Sequence, residues 1–315
     1  MAHYPDPGLF HPDAISHATR TDNDALARRL AELPAIVDFA EARRRFARGD
    51  GPIPTTPRSP RAVTLNIPGK RGEVGLRLIA PPAPTGVLLH VHGGSWTMGS
   101  ADMRDGDLER VVQNTGLACV SVEYRLAPEH PYPAAPDDCE SAANWLVEHA
   151  ASRFGTNRLL IGGESAGAHL AALTLLRLRD SGRSGIFAGA NLVFGAYDLS
   201  STPSVLLANE GLIIDRPRME RMRAAFVPAG LDRRDPGVSP LYADLRDMPR
   251  ALFTVGTLDP MLDDSLFMHA RWIAAGNQGE LAVYPGGVHG FTAFDTELAR
   301  QAMRRIDQFL ADTAP

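Results

Sequence analysis

The chain has two cysteines in 315 residues, Cys119 and Cys139. They fall in a strand-like and a helix-like segment with no metal-ligand spacing. Neither a disulfide framework nor a metal site is read from them, and a reducing, cytoplasmic setting is the expectation. No apolar run reaches membrane-spanning length, which argues against membrane insertion. An excess of positive charge is also missing: the formal net charge of -5 mildly repels nucleic acid. Arginines cluster locally at Arg43, Arg44 and Arg45 and at Arg233 and Arg234, but among acidic neighbours, the pattern of a solvated helix face. The first residues, "MAHYPDPGLFHPDAISH", lack the basic start and apolar core of a secretory leader. Internal repeats and low-complexity tracts are absent. With 44% hydrophobic and 22% charged residues, what remains is a globular chain long enough to bury a large core.

Eight short apolar runs punctuate the chain from Val63 onward: "VTLNIP", "VGLRLIAP", "GVLLHVHGG", "LACVSVEYR", "RLLIGGES", "GANLVFGAYD", "ALFTVGTLD" and "LAVYPGGVH". From the third run on, amphipathic stretches such as Asp138 to His149 and Ala166 to Arg177 separate them. Buried strands alternating with helices predict an α/β fold, a mostly parallel central sheet with helices on both faces, opened by an antiparallel pair. Two segments break the rhythm. Residues 1–60 are polar and helical, with Leu26, Leu30, Leu33 and Val37 at three-to-four spacing, and end in the proline-rich "GPIPTTPRSP". Residues 199–250 are too long for a simple crossover and carry a helix-forming middle from Arg216 to Val227. Both are read as a helical cap over a core made of residues 61–198 and 251–315, overhanging the sheet edge where open α/β folds bind ligands.

Within "LLIGGESAGAHLAAL" the pentad Gly163 to Gly167 places Ser165 between small residues, just after a strand-like run and before a helical pattern. That is the context of a G-x-S-x-G nucleophile elbow, a sharp turn that projects a serine hydroxyl above a sheet. A serine hydroxyl needs a base, and the base needs an orienting acid. His289 in "YPGGVHGF" lies on a glycine-flanked loop after the last strand-like run, whereas His169 and His269 read as ordinary helical residues. Asp259 in "FTVGTLDPMLDDS" follows a strand directly. Asp263 and Asp264 come one helical turn later, where carboxylates commonly serve as caps or dipole partners. In "HVHGGSW" the backbones of Gly93 and Gly94 are candidate oxyanion donors, joined by the N–H of Ala166. His92 reads as a structural ring that hydrogen-bonds loop backbone. Glu123, Arg125 and Glu129 read as an ion-pair network fixing the loop after "VSVEY".

The set "HGGSW", "YRLAPEHPYPAAPDD", "GESAG", "LDPMLDD" and "VHGF", in that order over roughly residues 60–310, resembles the hormone-sensitive-lipase-like (bacterial family IV) esterases of the α/β-hydrolase superfamily. The resemblance implies Ser165 as nucleophile, His289 as base and Asp259 as its orienter. It also implies a helical cap and hydrolysis of carboxylic esters without a cofactor. The sequence departs from the family pattern at Ser95, where a third glycine is usual, at Glu164, where aspartate is common, and at Ala168. Ser95, Trp96 and Glu164 are therefore candidate substrate-pocket residues, and a pocket narrowed by Ser95 and Trp96 favours short acyl chains within a short to medium range. The same "HGGSW" and "SAGAHLA" segments also resemble arylformamidase-like and amidase relatives. A non-catalytic, ligand-binding receptor with a hydrolase shell is the third reading, disfavoured by the presence of His289 with the whole triad. The expected partner is a small-molecule ester, and the amphipathic end "LARQAMRRIDQFLAD" is compatible with a homodimer.

Overall fold

The computed structural model describes residues 5–33 and 38–313; Val37 of the N-terminal periodicity lies outside them. Each of the eight apolar runs forms one strand. They are β1 (Val63–Gly69), β2 (Gly72–Ile79), β3 (Val87–Val91), β4 (Ala118–Glu123), β5 (Leu159–Glu164), β6 (Phe187–Val193), β7 (Arg250–Gly256) and β8 (Gly279–Tyr284). They make one sheet in the order β1-β2-β4-β3-β5-β6-β7-β8. Only β2 is reversed: it pairs antiparallel with both β1 and β4, and the remaining pairings are parallel. Along the central strands alternate residues enter two separate cores. Leu89, Val120 and Ile161 join one cluster, and Leu88, Cys119 and Leu160 join the other. Both faces of the sheet are therefore covered, which is why these strands read as unbroken apolar runs.

Nine helices belong to the described residues: α1 (His17–Ala31), α2 (Phe39–Arg48), α3 (Asp105–Thr115), α4 (Ala134–Phe154), α5 (Ala166–Asp180), α6 (Pro203–Leu207), α7 (Arg216–Phe226), α8 (Leu262–Ala274) and α9 (Glu297–Asp312). Helices α4, α5 and α8 supply the first core, while α3 and α9 supply the second. Helix α4 starts earlier than its periodicity predicts. Pro136 sits in its first turn, where a backbone N–H has no partner inside the helix, so the proline costs nothing there. Helix α9 buries Ala302, Ile306, Phe309 and Leu310, so its apolar stripe is used within the chain. No helix of the described residues is long and apolar enough to cross a membrane.

The N-terminal periodicity is not one helix. Helix α1 is capped by Ser16, which accepts from Thr19 N at 3.1 Å, and it ends at Ala31, so Leu33 falls beyond it. Helix α2 is capped by Asp38, which accepts from Glu41 N at 2.7 Å. Arg43 on α2 is no solvated residue. It donates to Thr97 O at 2.7 Å, to Ala127 O at 2.6 Å and to both carboxylate oxygens of Glu129, binding α2 to the core. The 199–250 segment is anchored at its start by α8. Asp263 accepts from Ser204 N at 2.8 Å in the first turn of α6, and Asp264 accepts from Tyr197 N, Asp198 N and Thr202 Oγ1. The two aspartates thus hold a neighbouring segment, with Asp263 serving the N-terminus of α6 rather than that of its own helix.

Candidate active site

The candidate residues lie at or just beyond the C-terminal ends of the parallel strands β3, β5, β7 and β8, on the side of the sheet where open α/β folds bind ligands. Ser165 lies between β5 and α5 with φ 56° and ψ -120°, a strained conformation that lifts its side chain off the sheet. The turn closes against β3 because Gly167 has no side chain; a Cβ there would stand 2.0 Å from Val91 O. His289 follows β8 and Asp259 follows β7. The Ser165 hydroxyl lies 2.9 Å from His289 Nε2, and His289 Nδ1 lies 2.9 and 3.1 Å from the two oxygens of Asp259. With the proton on Nδ1 shared by that carboxylate, Nε2 is the free base facing the serine. All three groups are buried. Asp259 also accepts from Met261 N at 2.8 Å, and Phe194 packs edge-on against the imidazole with centroids 5.0 Å apart. Phe194, at φ 36° just after β6, carries no motif that marks it in the sequence.

The loop after β3 is arranged differently from its reading in sequence. Gly93 N donates to Glu164 Oε1 at 3.3 Å, so although Gly93 and Glu164 both line the cavity, that N–H is already engaged and is not a free oxyanion donor. The N–H groups of Gly94, Ser95 and Ala166 have no acceptor among the described residues, and Gly94 and Ser95 line the same cavity as Ser165. Gly94 sits at φ 124°, and a Cβ on it would lie 2.1 Å from Met98 O. Glu164 also meets His90 Nε2 at 3.1 Å, while His90 Nδ1 meets Ser121 Oγ at 2.9 Å. Burial disfavours the Glu164 charge, but His90, Arg104 and the Gly93 N–H outweigh it and hold the carboxyl at about 2. His92 uses Nδ1 to donate to Gly93 O at 2.8 Å and stacks on Tyr124, whose hydroxyl donates to His92 O. Burial pushes its pKa down to about 4, so it is a neutral strut.

Two other expectations change. Trp96 does not line the cavity: it is buried, stacked on Phe226 with centroids 4.8 Å apart, and donates to His169. An indole needs a large apolar contact, and α7 supplies it on the far side of the loop. Glu123, Arg125 and Glu129 do not form one network, because each points to a different element. Glu123 accepts from Ala101 N at 2.7 Å, Arg125 pairs with Asp138 at 2.8 Å, and Glu129 pairs with Arg43 at 2.7 Å.

Above Ser165 opens a cavity of about 670 Å³, lined mostly by apolar side chains from α1, α2, α7 and the core, among them Phe39, Phe46, Ile53, Met98, Met219 and Met222. That volume suits a small organic molecule. An activated serine, a buried imidazole–carboxylate pair and unpartnered backbone donors at the floor of an apolar cavity can carry out acyl transfer.

A family model described as alpha/beta hydrolase fold matches residues 88–293. The carboxylic ester hydrolase LipN of Mycobacterium tuberculosis is 32% identical over 240 residues, which are 72% of this chain and 63% of LipN. Esterase LipI of the same organism is 33% identical over 86% of each chain. Among solved structures, a hyperthermophilic esterase from the archaeon Pyrobaculum calidifontis superposes with a TM-score of 0.84 at 27% identity, covering 92% of this chain and 97% of that one. The chain belongs to the hormone-sensitive-lipase-like, bacterial family IV branch of the α/β-hydrolase superfamily.

Proposed function

We propose that the chain is a serine carboxylesterase in which Ser165 is the nucleophile, His289 the general base and Asp259 the group that orients and stabilises the imidazolium. The observation that carries this reading is the unbroken line from Ser165 Oγ through His289 to Asp259, with 2.9 Å at each link, at the floor of the apolar cavity. Ser165 Oγ attacks the ester carbonyl carbon as its proton passes to His289 Nε2. The carbonyl oxygen becomes an oxyanion held by the N–H groups of Gly94, Ser95 and Ala166, with Gly93 replaced in that role by Ser95. Collapse expels the alcohol, which takes the proton from His289 and leaves an acyl-serine. Water, deprotonated by His289, attacks the acyl carbon, and the second collapse returns the proton to Ser165.

Residues 1–60 and 199–250 act as the cap, a reading supported by α1, α2 and α7 all contributing cavity wall. The substrate is a small-molecule ester. Trp96 no longer argues for the shortest acyl chains, since it stands outside the cavity, and the apolar lining suits acyl groups through medium length. Two buried, unpaired thiols support a reducing, cytoplasmic setting. Hydrolysis of p-nitrophenyl esters from acetate to dodecanoate by the wild type and Ser165→Ala tests the reading. The variant is expected to lose about 10⁴-fold or more of kcat. No turnover of any ester by the wild type would move the search to formamides and amides cleaved by the same residues.

A further inference from the structure

His169, one turn beyond Ser165 on α5, is a fully buried histidine that the acyl-transfer steps do not use. An indole N–H can only donate, so Trp96 Nε1 donates to His169 Nδ1 at 3.0 Å. The ring proton is therefore on Nε2, where it donates to Val238 O at 2.8 Å. Burial lowers the pKa of this ring to about 4, opposed by the Val238 carbonyl and reinforced by Arg223, so the ring stays neutral in that tautomer. Both partners also touch Phe226 at the end of α7: the indole lies flat on it, and His169 meets it edge-on at 5.9 Å. One side chain thus joins the helix that begins at the nucleophile, the oxyanion loop and the segment that follows α7.

The loop needs such a restraint. Ser95 and Trp96 sit at φ 53° and 61°, conformations that residues with side chains leave unless something holds them. Ala127 N donates to Trp96 O at 2.9 Å and fixes the backbone from one side. The indole, locked between His169 and Phe226, fixes it from the other. We propose that His169 is a positioning residue for ester hydrolysis: through Trp96 it holds the Gly94 and Ser95 donors at a set distance from Ser165 and Ala166, on the helix that carries His169 itself. This rests on the reading of Ser165 as nucleophile. His169 touches no substrate, and its effect is on the geometry of the oxyanion site.

The test is kcat per active site, with sites counted by titration to completion with a fluorophosphonate. His169→Leu is expected to lose about 10- to 100-fold in kcat per titrated site, less than the 10²- to 10³-fold worth of a whole oxyanion donor, with KM for p-nitrophenyl butyrate within about twofold. His169→Gln can accept from the indole with its amide oxygen and donate to Val238 with its amide nitrogen, and is expected to recover most of that loss. Trp96→Phe keeps an aromatic ring against Phe226 while removing the donor and part of the ring volume, and should fall in the same direction. A purely structural role would lower Tm and the number of titratable sites while leaving kcat per site unchanged. That result in His169→Leu, or no recovery in His169→Gln, overturns the proposal. If His169→Leu does not fold, Trp96→Phe decides alone, and wild-type kcat in it is the overturning result. An active Ser165→Ala would instead sink the underlying nucleophile assignment.

Discussion

At the scale of single residues, the site depends on atoms that are absent as much as on those present. Gly94 stands at φ 124° with Met98 O at 2.1 Å from where a Cβ would be, so Gly94→Ala must move the loop that carries two of the proposed oxyanion donors. The expected outcome is a loss of about 10²-fold or more in kcat, with the fluorophosphonate still reaching Ser165 given time; steady-state kinetics beside active-site titration checks it. Ser165, Asp259 and His289 were legible in the sequence because each comes after an apolar strand run, Ser165 directly and the other two within a short loop, and strand ends are where an α/β sheet presents side chains to a ligand. The loop details were not. Sequence spacing places Gly93 beside Gly94 but does not say which N–H faces the substrate, and that is decided by the Glu164 carboxylate 71 positions away. The same holds for Trp96: bulk beside a motif suggests a pocket wall, yet the ring turns toward whichever apolar surface the rest of the chain offers, here Phe226 and His169.

At the scale of elements, eight strands could be read one for one because a sheet covered on both faces leaves continuous apolar runs, whereas the attachment of the two covering segments could not. Arg43 shows why: an arginine in a run of arginines on a polar helix looks solvated until the fold brings Thr97 O, Ala127 O and Glu129 around its guanidinium. Its planar fork serves carbonyls and carboxylate at once, which a lysine cannot copy. Because α2 carries Phe39, Ala42 and Phe46 into the cavity wall, loosening it should weaken substrate binding more than chemistry. Arg43→Ala is expected to raise KM about three- to tenfold with kcat within about twofold, and Arg43→Lys to recover only part of the difference. Michaelis kinetics with a medium-chain p-nitrophenyl ester checks this, and an unchanged KM would show that α2 is held by its apolar contacts alone.

At the scale of the whole molecule, buried groups with displaced pKa values shape how stability responds to acid, and His92, His169 and Asp264 are three whose shifts fall between about pH 4 and 6.5. His92 and His169 are both held at about 4, chiefly by burial, against an ordinary 6.5. Between those limits the unfolded chain binds their protons and the native one does not, so each contributes stability that grows as pH rises from about 4 to about 6.5. Asp264 acts in the opposite sense. Burial raises it from 3.8 to about 6, against the pull of Thr202, the Asp198 and Tyr197 N–H groups and Arg223. Its contribution is complete below 3.8 and is lost as pH rises through 6. For these three groups alone two protons are released against one retained, a balance of one, so they should make unfolding free energy climb by roughly 1.4 kcal/mol per pH unit over the middle of that window and level off above about 6.5, with His269, lowered by burial, adding to the climb and Glu123, raised by burial, opposing it. Asp264→Asn removes the opposing group while keeping an amide oxygen for the Tyr197 and Asp198 N–H groups, and should steepen the climb towards twice that slope. Urea unfolding of both proteins between pH 4.5 and 7.5 measures it. A variant curve parallel to the wild type would mean that Asp264 stays ionised across the range, its charge carried by Arg223 on the segment that it anchors.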